Sequence, residues 1–143
     1  MLIQPISRTD PETVYSIVRN VAGATITAGY PVVWDISATI DGNRVSKPAT
    51  ASLSSLVGIA DETAADSAYF KVQIYGYRSE AYLTNDTSVA VAAGDILIPV
   101  NAQWYLARSG AADGKSGFLT AGEAFATAAT PAAANKKILI RCM

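Results

Sequence analysis

The chain contains no histidine. Histidine is the usual general base near neutral pH and the commonest metal ligand. A hydrolytic or nucleophilic site here would have to rely on Asp, Glu, Lys or Tyr. There is one cysteine, Cys142, so no internal disulfide can form. Without an imidazole beside it, Cys142 reads as a packed or incidental thiol rather than a nucleophile. Charge is scarce: 16% of residues are charged, 11 basic and 12 acidic, for a net charge of −1. The basic residues are scattered, which argues against the basic stripe that nucleic-acid binding needs. The only adjacent pair, Lys136-Lys137, reads as a solvated strand edge. No apolar run approaches the ~20 residues of a membrane-spanning helix. Met1-Leu2-Ile3-Gln4-Pro5-Ile6 is too quickly interrupted for a signal peptide. The dinucleotide G-x-G-x-x-G, the phosphate loop, C-x-x-C and the nucleophile elbow are also missing. The expectation is a protein made in a cytoplasm, with no catalytic residue, no cofactor, no metal, no nucleic acid and no membrane partner.

What is present is apolar and strand-like. Half of the 143 residues are hydrophobic, enough for one domain with its own core. Low charge on such a chain implies a surface covered by a partner, or one carpeted with Ala, Ser and Thr. Residues 1–12 read as an arm, with Pro5 and Pro11 resisting regular structure. Its apolar residues Leu2, Ile3 and Ile6 must be buried on their own domain or on a neighbour. Residues 13–21 offer a capping box at Thr9 and Glu12 but are mostly β-branched or aromatic, which favours strand over helix. Pro31 to Ile36 is a strand, with proline tolerated at its first residue. Asp41-Gly42 signals a hairpin whose return arm is Arg44 to Ala51. Leu56 to Ala60 is an apolar run. An acidic loop, Asp61 to Ser67, separates it from a strand in which Phe70, Val72 and Ile74 face one side and Lys71, Gln73 and Tyr75 the other. Tyr77 to Leu83 continues the extended pattern beyond Gly76.

The second half echoes the first. Val91 to Ile98 resembles Ile26 to Val33, with Gly94 standing 65 positions after Gly29 (94 − 29). Gln103 to Ala107 pairs through a Ser109-to-Gly117 loop with Phe118 to Thr120. Gly122 to Ala126 echoes Gly58 to Glu62, and Asn135 to Arg141 echoes Ala68 to Ile74. A repeated unit cannot always bury its face alone, so a duplicated β module is a coherent reading. Ala121 to Ala134 is the best helix candidate, since Ala is the strongest helix former, though Pro131 limits it to a short helix or a loop. The fold expected is mainly β: a compact small barrel or sandwich from two similar halves, with an extended arm and at most one or two short helices. The boundaries are 1–12 for the arm and 13–143 for the domain, with the repeat at 22–76 and 88–141.

Three features invite chemistry. Asp61, Glu62 and Asp66 lack the spacing of a calcium loop and read as a solvated turn. Asp113-Gly114-Lys115-Ser116 lacks the upstream glycine of a phosphate loop and reads as a hairpin loop. Asn85-Asp86-Thr87 fits a glycosylation acceptor by chance. The aromatics Trp34, Tyr69, Tyr75, Tyr77, Tyr82, Trp104 and Tyr105 fill a core or an interface, or form a sugar platform; core or interface is favoured.

Four segments occur in order: Val18 to Trp34, Leu56 to Ala60, Val72 to Tyr77 and Ala93 to Leu97. Together they resemble small β-rich virion proteins of tailed phages, most of all capsid decoration (head cement) proteins. The resemblance covers roughly residues 13–100. It implies a non-enzymatic homotrimer on the outer surface of an assembled capsid, stabilising it, with the major capsid protein as partner and Leu2, Ile3, Gln4, Pro5 and Ile6 helping to anchor it. The virion would be its destination, after assembly in the host cytoplasm. A head-fibre or tail-fibre module, or a carbohydrate-binding β module, is the alternative.

Overall fold

The computed structural model describes residues 11–37, 41–85, 89–110 and 118–142. The anchor residues Leu2 to Ile6 and the Asp113-to-Ser116 loop lie outside them. Among the described residues nine strands form one sheet: β1 (Thr13–Asn20), β2 (Pro31–Trp34), β3 (Arg44–Ser46), β4 (Leu56–Ala60), β5 (Tyr69–Thr84), β6 (Ile96–Pro99), β7 (Leu106–Arg108), β8 (Leu119–Ala121) and β9 (Ala133–Arg141). The strand order is β1-β3-β2-β4-β5-β7-β6-β8-β9, with β1 also paired to β5 and β5 to β9. Those two extra pairings close the sheet into two rings that share β5. The 16-residue β5 ends the first ring with its N-terminal half and begins the second with its C-terminal half.

The rings are built alike. β1 runs parallel to β3, as β5 does to β7. β2 is antiparallel to β3 and β4, as β6 is to β7 and β8. The same backbone bonds recur: Gly29 N–H donates to Ala60 O and Gly94 N–H to Ala121 O, both at 2.8 Å. Both glycines hold a positive φ, +91° and +93°, which a side chain rarely adopts. Asn20 and Asn85 close the two first strands, and their amides donate to the carbonyls of Ala65 and Ala126 respectively, both at 3.1 Å. Gly122 N–H donates to Lys137 O as Asp61 N–H donates to Lys71 O. Gly122 therefore takes the place of Asp61, and the echo of Gly122 onto Gly58 is out of step by a few residues.

Each ring has its own apolar core. Val18, Ile26, Val32, Val45, Val57, Phe70 and Val72 fill the first. Leu83, Val91, Leu97, Leu106, Leu119, Ile138 and Ile140 fill the second, joined by Ile59 from β4. Alternation explains the split: Phe70 and Val72 point inward while Tyr69 and Lys71 point out.

Several expectations need correction. Of the two readings of Ala121 to Ala134, the helix fails and the loop holds up to β9: Phe125 bridges Val91 and β9 begins at Ala133. The cost of leaving β9 unpaired outweighs the small helix preference of Ala. The segments before and after residue 117 are not a hairpin, because β7 pairs with β5 and β6 while β8 pairs with β6 and β9. Lys136 and Lys137 are not on an open edge: Lys136 pairs with Ala81 of β5, and Lys137 O accepts from Gly122 N–H just past the end of β8. The return arm after Asp41 is short, ending in a single 3-10 turn at Thr50–Ser52.

Candidate functional site

The outer face of the first ring carries an apolar row. In β1 the even positions Ser16, Val18 and Asn20 turn inward, leaving Tyr15, Ile17 and Arg19 outward. The antiparallel ladder sets Tyr15 opposite Gln73, Ile17 opposite Lys71 and Arg19 opposite Tyr69. Ile17 is 69% exposed, Tyr69 62% and Tyr15 43%. The diagonal from Ile17 to Tyr69 brings these two within reach of each other. The Lys71 ammonium lies 5.6 Å from the Tyr15 ring centroid, over its face. On the side of β1 away from β5, β3 pairs only with Arg19 and Asn20. Among the described residues, Thr13 to Val18 have no strand along that edge.

Beside the row is a shallow cavity of about 270 Å³, lined by Tyr15, Asp61, Gln73, Tyr77, Arg78 and Glu80 among others. A polar network floors it. Arg78 Nη1 donates to Asp61 Oδ1 at 2.9 Å and to Gln73 Oε1 at 3.3 Å. Gln73 Nε2 donates to the carbonyls of Tyr75 and Tyr77. Gln73 was expected on the solvent side; it is buried at 2% exposure. The β1–β5 register shifts at this point, between Val14 and Tyr15, and the Gln73 amide, bound to two carbonyls, has its polar atoms satisfied where it is buried.

The acidic loop is locked rather than merely solvated. Asp61 pairs with Arg78 at 2.9 Å and with Lys71 at 3.5 Å. Glu62 accepts from Lys71 N–H, and Asp66 from Gly23 N–H. A second cavity, of about 240 Å³, lies at the Gly94 turn between Asp95, Ile96, Arg108 and Ser109. Asp95 accepts from Ala92 N–H and from Arg108 Nε, each at 2.8 Å. These donors hold its carboxyl below the ordinary carboxylate range.

The aromatics divide. Tyr30 stacks on Trp104 at 5.3 Å and meets Tyr82 at 5.4 Å, across the boundary between the rings. Trp34 and Trp104 pack against the first core, so neither tryptophan forms an open sugar platform. Of the aromatics weighed from the sequence, Tyr69 and Tyr75 are the exposed ones. Asn85 is buried, with its amide bound to Ala126 O and its oxygen accepting from Ala132 N–H; it is a structural plug. The Cys142 thiol packs against the second core, and burial pushes it up to about 12. Sequence reasoning did not single out Tyr15 and Ile17. The β-branched run was visible, but which face of it stays uncovered depends on the closure of the ring.

No protein-family model and no curated protein matches the chain. Among solved structures, the N base of head fibre gp8.5 of bacteriophage phi29 aligns at 11% identity with a TM-score of 0.43, covering 87% of this chain and 94% of that one. A likeness at that level bears on neither the fold nor the function argued for this chain.

Proposed function

We propose that the chain is a non-enzymatic structural protein of a tailed-phage virion, bound to the outside of the assembled capsid and stabilising it. The observation that carries the reading is the outward apolar row of Tyr15, Ile17 and Tyr69 on a rigid double ring. Contiguous exposed apolar residues mark a surface covered by another protein. The segments that resemble decoration proteins support it from the sequence side. They supply the turns at Gly29 and Gly94, the Asn20 plug and strands β4 and β5. The likeness thus falls on the framework, as befits a protein whose work is done by its surfaces. The major capsid protein is the proposed partner, and Leu2, Ile3, Gln4, Pro5 and Ile6 are the proposed anchor.

The test is sedimentation of the purified chain with heads of its own phage that lack it. The full chain is expected to pellet with the heads, and a chain lacking residues 1–12 to stay in the supernatant. Undiminished pelleting of the shortened chain would remove the anchor. A full chain that never pellets would remove the function. Pelleting of only a few copies per head, far short of covering the shell, would replace decoration by the base of a head fibre.

A further inference from the structure

The contact between the two rings is a template for a contact between two copies. Asn20 and Asn85 occupy the same place in their rings, so counting back three residues sets Ile17 against Tyr82, with the inward Val18 and Leu83 between. In the second ring that outward position is covered. Tyr82 N–H donates to Gly29 O at 2.9 Å, and its ring meets Tyr30. The Gly29 turn of the first ring is therefore seated on the outer first-strand edge of the second. Space at Gly29 is correspondingly tight: a methyl group there would touch Asn135 and the backbone of Glu80 at 3.5 Å.

Both halves of this contact occur again without their counterparts. The Gly94 turn has the Gly29 conformation, yet nothing lies within 4 Å of a methyl group placed on it. The Ile17 edge has the place of the Tyr82 edge, yet Ile17 is the most exposed large apolar residue among those described. One side is a projecting turn with a cavity of about 240 Å³ at its base. The other is an apolar side chain on a strand edge that, among the described residues, has no strand neighbour. Where Tyr30 supplies an aromatic face inside the chain, the Gly94 turn supplies Asp95. Asp95 is held by Arg108, and Lys71, directly across the ladder from Ile17, by Asp61, so the contact is carried by shape and backbone rather than by free charge.

We infer that the Gly94 turn of one copy seats on the Ile17 edge of another, repeating between chains the contact that joins the two rings within a chain. The Ile17 N–H then donates to the Gly94 carbonyl, as Tyr82 N–H does to Gly29. The contact is heterologous: each copy offers one turn and one edge, so copies add head to tail until a ring closes. This names the neighbour of the apolar row in the function proposed above. It is tested without particles, so its failure and the failure of capsid binding are separate results.

The experiment is light scattering on the full chain and on two variants. Ile17→Asp spoils the edge and leaves the turn; Ile96→Lys spoils the cavity and leaves the edge. If Ile96→Lys does not fold by circular dichroism, Ser109→Glu takes its place. The wild-type chain is expected to form a closed oligomer, and each variant alone a monomer. Mixed together, the two variants should give a one-to-one heterodimer and nothing larger, because only one intact edge and one intact turn remain. A monomeric wild type overturns the inference, as does an oligomer that survives Ile17→Asp. A cavity variant that still self-associates overturns it too, since it would place edge against edge.

Discussion

Gly76 and Gly94 separate two costs that are normally measured together. Both hold a positive φ, +103° and +93°. Alanine at either position must adopt a backbone that side chains avoid, at about 1–3 kcal/mol. At Gly94 that is the whole penalty, since the added methyl meets nothing within 4 Å. At Gly76 the methyl would collide with the carbonyl of Glu12 and crowd the Cα of Thr13. Gly76 pairs with Thr13 on one side and Ile140 on the other, so neither neighbour can withdraw without opening a ladder. Forcing that contact adds a further ~1–3 kcal/mol. Gly76→Ala should thus be the less stable variant by that margin. For a chain of this length it corresponds to a melting temperature lower by about 3–10 °C. The assay is equilibrium urea unfolding followed by circular dichroism, with thermal melts as a second reading. One transition with an unchanged slope is expected, because β5 belongs to both rings and neither can open alone. Equal losses in the two variants would refute the reasoning, for they would mean that the approach of Glu12 to Gly76 costs nothing.

Other outcomes follow from single groups. Asn20→Ala removes an amide that serves three carbonyls and an oxygen that accepts from Ala22 N–H; it should cost about 2–4 kcal/mol in urea unfolding, and Asn85→Ala, with two bonds lost, about 1–3. Asp95 has a folded pKa below its ordinary value, chiefly through Ala92 N–H and then Arg108. The unfolded chain therefore binds its proton first as pH falls, and the contribution present above about pH 4 is lost below it. The stability gap between wild type and Asp95→Asn should accordingly narrow as unfolding is measured from neutral pH down through that window. Cys142, pushed up to about 12 by burial, should react with a disulfide reagent at mildly alkaline pH far more slowly in the folded chain than in urea; equal rates would contradict its burial.

The strands were legible because their signals are local. Alternation marked Phe70, Val72 and Ile74 as one face, proline marked the start of β2, and glycine the turns before β2 and β6. What failed was what depends on partners far away in the chain. β7 and β8 look like a hairpin in sequence, yet Leu106 lies beside Leu83, and Leu119 pairs with Leu97 and Ile140. The Ala-rich run after β8 has helix propensity and no helix, because Phe125 is held by Val91 and the chain must reach β9. Gln73 has the periodicity of an exposed residue and is buried by a local irregularity that no pattern announces. The apolar row had the same fate: residues 13–21 could be read as strand, but that Ile17 faces outward follows from closure of the ring, and that its backbone edge lacks a strand beside it, among the described residues, follows from β3 pairing only with Arg19 and Asn20.

For the proposed role on a shell, resistance to separation matters more than a cleft, and the sharing of β5 between the rings bears on that resistance. Separate barrels joined by a linker would part at the linker. Here the joint is a continuous strand, hydrogen-bonded to β1 and β4 over its first half and to β7 and β9 over its second. Pulling the rings apart must strip one of the long ladders, β1–β5 or β5–β9, all at once. The Tyr30, Tyr82 and Trp104 rings clamp the same boundary from the side. Force applied at the Ile17 edge therefore enters β1 and crosses its ladder into β5. From β5 it reaches the second ring and the Gly94 turn without crossing a flexible joint. If that turn holds the next copy, the load passes on through an edge of the same design, and the stiffness of one chain becomes the stiffness of the assembly.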